Sequence, residues 1–108
     1  MFNFYSRYDK KLGGKQARVV VTGQHSEGLL KIAASRCSTE DQFVKSIGRQ
    51  KAHERLNNGN FYTVIKLNEC PPKKFIEIAE SISQKILKKP NYFKNKMEKT
   101  KKLLNNGN

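Results

Sequence analysis

Residues 38–59, STEDQFVKSIGRQKAHERLNNG, carry their own start and stop signals and restrict the fold more than any other stretch. Thr39 with Gln42 three residues on forms a capping box, while Glu40 and Asp41 place negative charge at the positive end of a helix dipole. Asn57-Asn58-Gly59 supplies the left-handed residue on which helices end. Between these signals Phe43, Val44, Ile47, Gly48, Ala52 and Leu56 recur at spacings of three and four. That pattern predicts one amphipathic helix with those residues as its apolar stripe. Lys45, Arg49 and His53 fall at i, i+4 and i+8 and form a ridge away from most of the stripe, with Lys51 and Arg55 on the other flank. Gly48 costs about 1 kcal/mol against alanine in a helix interior, so it needs a reason. Either it lets the helix approach a sheet closely, or it bends the helix and aims Arg49 at a ligand. Its place in the apolar stripe favours close approach.

On either side of this helix the hydrophobic period changes from helical to alternating. Residues 16–23, QARVVVTG, are β-branched and end on glycine, the pattern of a strand. The polar connection from Gly23 to Gly28 suits a hairpin loop of four to six residues. Residues 29–35, LLKIAAS, return as a second strand, with Leu30, Ile32 and Ala34 on one face and Lys31, Ala33 and Ser35 on the other. A third strand follows at residues 60–67, NFYTVIKL, where Phe61, Thr63, Ile65 and Leu67 share one face and Tyr62, Val64 and Lys66 the other. Pro71-Pro72 suit the first turn of a second helix, whose core stripe is Phe75, Ile78, Ala79, Ile82 and Ile86 and which Pro90 stops. The expected fold is α+β: a small antiparallel sheet of about three strands in ββαβα order. Two long helices are expected on one face of it. At 108 residues the chain holds one domain, here residues 1–90, with residues 91–108 as a basic C-terminal helix.

The two ends of the chain admit more than one reading. Phe2, Phe4, Tyr5 and Tyr8 interleave with Arg7, Lys10, Lys11 and Lys15. Such a segment is either a platform for unpaired bases or an N-terminal strand whose aromatics tuck onto the core. The second reading is favoured, because four aromatics are costly to leave in water. In the tail, Phe93, Met97, Thr100 and Leu104 make a narrow helical stripe among Lys94, Lys96, Lys99, Lys101 and Lys102. It can dock on the body, pair with a second copy into a homodimer, lie on an anionic membrane surface, or follow a phosphate backbone. Docking is the default. The terminator LLNNGN at 103–108 nearly repeats RLNNGN at 55–60, a cap signal used twice rather than a duplicated domain.

Charge then bears on function. Twenty-two Lys and Arg stand against nine Asp and Glu, a net charge of +13 spread along the whole chain. So large an excess costs self-repulsion in the compact state and points to a polyanionic partner. Cys37 and Cys70 have no metal-ligand spacing, and no export signal or membrane-length apolar run accompanies them. The expectation is a reduced, cytoplasmic protein with two free thiols, no cofactor, no bound metal and no membrane association. His25 with Glu27 reads as a solvated turn more readily than as a base and its orienting carboxylate. A Cys37–His53 dyad is implausible across a continuous helix, because sixteen residues at 1.5 Å each separate the two backbones by roughly 24 Å.

The run SRCSTEDQF…GRQKAHERL, within residues 35–56, resembles small uncharacterised proteins of phages and mobile elements. That resemblance implies a nucleic-acid binder, a transcriptional modifier or an inhibitor of host defence machinery, acting in the host cytoplasm; it transfers no functional residue. Together the residues point to a non-enzymatic protein that binds DNA or RNA mainly through phosphates. Candidate contacts are Arg7, Arg36, Lys45, Arg49, His53 and Arg55, extended by Lys94, Lys99, Lys101 and Lys102. The alternative is an inhibitor or regulator that meets an acidic or nucleic-acid-binding surface of a host protein, such as a defence nuclease. A small nuclease is the weaker alternative, since the sequence shows no cluster of metal-binding carboxylates and no His pair.

Overall fold

The computed structural model describes residues 1–6, 18–37, 45–89 and 95–100. Its centre is an antiparallel sheet of four strands in the order β1-β2-β3-β4, built from β1 (Phe2–Tyr5), β2 (Arg18–Ser26), β3 (Leu29–Cys37) and β4 (Thr63–Lys66). Helix α1 (Lys45–Asn57) lies between β3 and β4 in sequence, and α2 (Pro72–Lys88) follows β4. Residues 95–100 are also helical. The α+β class is as expected, but the sheet has four strands and the order opens with a further strand. That strand is the N-terminal aromatic segment. Phe2 stacks on Phe75 with ring centroids 5.0 Å apart, and Phe2 and Phe4 both pack against the core.

Burial in β2 and β3 explains the layering. Val19, Val21, Leu30, Ile32 and Ala34 form one core with Phe75, Ala79, Ile82 and Ile86 of α2. Their neighbours Val20, Thr22, Ala33 and Ser35 point the other way and are buried too. The register Val20↔Ser35 and Thr22↔Ala33 sets them side by side, and the Ser35 hydroxyl donates to the Gly48 carbonyl at 2.7 Å. Helix α1 therefore covers the second face. The helices sandwich the sheet instead of sharing one side of it. Consecutive apolar residues, VVV in β2 and IAA in β3, are what a sheet buried on both faces requires, whereas a one-sided sheet alternates.

The β2–β3 hairpin is tighter than its glycines suggested. Ser26 pairs with Leu29, and Glu27 and Gly28 close the turn with φ of 52° and 75°. Two central residues with positive φ make the primed turn whose twist matches the flanking strands. Gly23 is consequently inside β2 rather than in the loop. A Cβ there would sit 2.6 Å from Cε2 of Phe75, so glycine is what lets the α2 ring lie on the sheet.

Helix α2 follows its sequence signals, with Pro72 in the first turn and Phe75, Ala79, Ile82 and Ile86 buried. At β4 the expected alternation breaks once. The chain bends at Tyr62, which donates its N–H to Ile32 O at 2.7 Å, and its side chain joins the α2 core instead of the face of Val64 and Lys66. The helical residues 95–100 dock on this side. Met97 packs against the core, and the buried Thr100 hydroxyl donates to Tyr62 O at 3.0 Å.

Candidate nucleic-acid interface

Helix α1 owes its placement to small residues. Gly48, Ala52 and Leu56 recur every fourth position and are its buried line. The helix runs unbroken through Gly48, whose carbonyl takes the Ser35 hydroxyl, so this glycine serves close packing on the sheet. Ile47 departs from the expected stripe: it is 52% exposed, because the buried line is rotated towards Gly48, Ala52 and Arg55. The C-terminus closes as expected. Asn60 N–H reaches Arg55 O at 2.7 Å, Gly59 N–H reaches Leu56 O at 3.4 Å, and Gly59 has φ of 76°. This pair of bonds around a left-handed glycine is the Schellman motif. The capping box at Thr39 and Gln42, and Phe43 and Val44 of the apolar stripe, lie outside the described residues.

The polar residues of α1 divide between its two flanks, the ridge on one and Lys51 with Arg55 on the other. On the β1 side Arg49 is exposed, and His53 donates from Nε2 to the Asn3 side-chain oxygen at 2.8 Å. Asn3 and Tyr5 alternate with Phe2 and Phe4 along β1, so they fall on the α1 face of the sheet. Gly48 sits over the row containing Ser35 and Val20, whose β1 member is Tyr5, and His53 meets Asn3 one row further on. Arg49 lies one turn before His53 on the same flank. The contact that joins this flank to β1 is therefore the one between an imidazole and a side-chain amide, with the exposed Arg49 one turn before it.

On the opposite flank Lys51 is exposed while Arg55 is half-buried. One guanidinium nitrogen of Arg55 donates to Ala34 O at 2.5 Å. Alternate carbonyls of β3 face β4, and Ile32 O, facing that way, accepts from Tyr62. Ala34 O is the next in that row, past the point where β4 begins, and Arg55 supplies the donor that a longer β4 would have given. Desolvation lowers the Arg55 pKa from its ordinary value, and the guanidinium stays cationic. Arg55 therefore ties this flank of α1 to the sheet.

The remaining candidates do not gather at this face. Arg36 is exposed near the end of β3, but its partner is Val19, so it belongs to the α2 face. Lys99 is exposed on the helical residues 95–100, which dock on that same α2 side. Lys45 lends α1 its backbone, and its side chain lies outside the described residues, as do Arg7, Lys94, Lys101 and Lys102. His25, proposed as a turn residue beside Glu27, is in β2, and its Nε2 donates to Leu67 O at 2.7 Å. Among the described residues no three His, Cys, Asp or Glu side chains gather where they could hold a metal ion, and no helix is long and apolar enough to cross a membrane.

Asn3 was missed as a member of the α1 surface. The signal was present: FNFY alternates, so once Phe2 and Phe4 enter the core their neighbours must face the other helix. Comparison of the chain with protein families, with curated proteins and with solved structures finds no match.

Proposed function

We propose that this protein binds nucleic acid without acting on it chemically, and that it does so through phosphate contacts made from the outward face of α1. The observation that carries this reading is the division of labour on that helix. Gly48, Ala52 and Leu56 seat it on the sheet, and Arg49 and Lys51 are left in solvent on its two flanks, in a chain of net charge +13. Cations so placed can meet phosphates on either side of the helix axis without any change in the core. Each neutralised phosphate releases counterions, which supplies affinity without base recognition. His53, one turn from Arg49 on the same flank, offers an aromatic face near a phosphate-binding cation, a combination that suits unpaired bases.

Titrations of the full chain with single- and double-stranded DNA and RNA at two salt concentrations test this reading. Affinity is expected to fall steeply between about 50 and 200 mM salt, and binding indifferent to salt over that range refutes phosphate contact. Arg49→Glu is expected to weaken binding more than Lys85→Glu on α2, although both remove the same charge. Equal losses would show that only the overall field matters and that α1 has no special part.

A further inference from the structure

The outer edge of β4 is not used by the surface just described. Leu67 donates its N–H to Gly28 O at 2.9 Å, and the pairs Leu30↔Ile65 and Ile32↔Thr63 continue that row. In an antiparallel ladder this alternation turns the backbone groups of Thr63 and Ile65 towards β3 and those of Val64 and Lys66 outward. β4 is the last strand of the sheet, and among the described residues no strand pairs with its outer side. An edge of this kind is a template for one more strand.

Both sides of the edge are shaped. On the α2 side a groove of about 390 Å³ runs beside β4, with Ile65, Ile78 and Ile82 along its floor and Glu77, Lys85 and Lys96 at its rim. On the α1 side Lys66 is exposed, and Lys31 falls on the same face through its pairing with Val64. The Lys31 ammonium lies 5.7 Å from the centroid of the Phe61 ring, which holds it near the sheet surface. Lysines flank the edge on both faces, with Glu77 beside those on the α2 side. A second copy of this chain would bring the same lysines and another charge of +13 to the contact, which like-charge repulsion opposes. An acidic strand meets no such cost.

We propose that the outer edge of β4 accepts an extended acidic segment of a partner protein as a fifth strand. Main-chain hydrogen bonds to Val64 and Lys66 supply the register. Because side chains alternate across a strand, one set enters the groove between α2 and residues 95–100 and the other lies beside Lys31 and Lys66. The segment that fits alternates apolar residues with carboxylates, the apolar set facing Ile65, Ile78 and Ile82. This surface lies on the opposite side of the sheet's centre from Arg49 and stands independently of the nucleic-acid reading.

The test titrates the full chain with a fluorescein-labelled peptide alternating valine and aspartate and follows anisotropy. Saturable binding is expected, and N-methylation of the peptide residues that face β4 should weaken it about tenfold or more by removing main-chain hydrogen bonds. Lys66→Glu should weaken binding far more than Arg49→Glu, which removes the same charge elsewhere. Val64→Pro should abolish it, because proline removes an outward N–H and no ladder bond; an unchanged thermal midpoint confirms that the variant folds. The proposal is overturned if no binding occurs or if the N-methylated peptide binds equally well. It is overturned also if a valine–lysine peptide binds equally well, or if Lys66→Glu and Arg49→Glu lose the same amount. Concentration-dependent dimers broken by Val64→Pro would assign the edge to a second copy instead. Oligonucleotide binding that Lys66→Glu alone removes would assign it to nucleic acid.

Discussion

Gly23→Ala tests the contact that fixes α2 on the sheet. An alanine Cβ at this position stands 2.6 Å from Cε2 of Phe75, 3.2 Å from its Cδ2 and 3.3 Å from Cδ1 of Leu30. Phe75 is 1% exposed and its ring is stacked on Phe2, so it cannot swing aside without displacing β1. Overpacking of this kind costs about 1–3 kcal/mol. Alanine recovers part of that, roughly 0.5–1 kcal/mol, because glycine loses more backbone entropy on folding. The net expectation is a loss of about 1–2 kcal/mol, which lowers the thermal midpoint by about 4–8 °C for each kcal/mol in a domain near this size. Urea unfolding, with the midpoint shifted at constant slope, measures it. Phe75→Leu destabilises the protein alone, but in that background Gly23→Ala should cost little, since the clashing ring edge is gone. Gly23→Ala at or above the parent stability would refute the reasoning, and so would simple additivity of the two changes.

Three further outcomes follow from the described contacts. Arg55→Met, which keeps an unbranched apolar stem, should cost about 1–3 kcal/mol by leaving Ala34 O without its guanidinium donor; an unchanged thermal midpoint with weaker oligonucleotide binding would return Arg55 to the interface. Gly59→Ala should cost about 1 kcal/mol or slightly more, because φ of 76° places the new Cβ against the backbone, whereas Asn58→Ala should leave the midpoint nearly unchanged in thermal unfolding. Deletion of residues 91–108 removes the packing of Met97 and the Thr100–Tyr62 bond and should lower stability by about 2 kcal/mol, measured by urea unfolding; full retention of stability would show that this docking contributes nothing.

The elements were readable where a local signal decides them. Pro71-Pro72 before the 75/79/82/86 repeat placed α2, and Asn-Asn-Gly placed the end of α1, because proline and left-handed glycine act through the backbone wherever they occur. The layering was legible in principle and misjudged. Read strand by strand, VVV and IAA suggest one buried face, whereas consecutive apolar residues in neighbouring strands call for cover on both. The hairpin was misplaced for a different reason. Gly23 looked like a loop residue, and its use, close approach by a ring fifty-two positions away, is a tertiary fact that no local window contains.

Charge placement is harder to read because a helical wheel fixes angles around an axis and not which arc meets the core. The spacing of Arg49 and His53 was correct, yet their surroundings depend on Asn3, fifty positions away. Arg55 shows the same limit with the opposite result. The sequence offers Arg55 as a candidate phosphate contact, but the buried line turns from Ile47 towards Gly48 and Ala52 and brings Arg55 half under the helix, where β4 leaves the Ala34 carbonyl uncovered. A small residue such as Gly48 draws the helix axis close to the sheet, and the long side chain beside it must then either leave or find an acceptor. Arg55 finds one, and a half-buried cation with a carbonyl partner costs less than one without. The packing leaves Arg49 and Lys51 in solvent, and the four-residue length of β4 is what gives the Arg55 guanidinium its backbone acceptor.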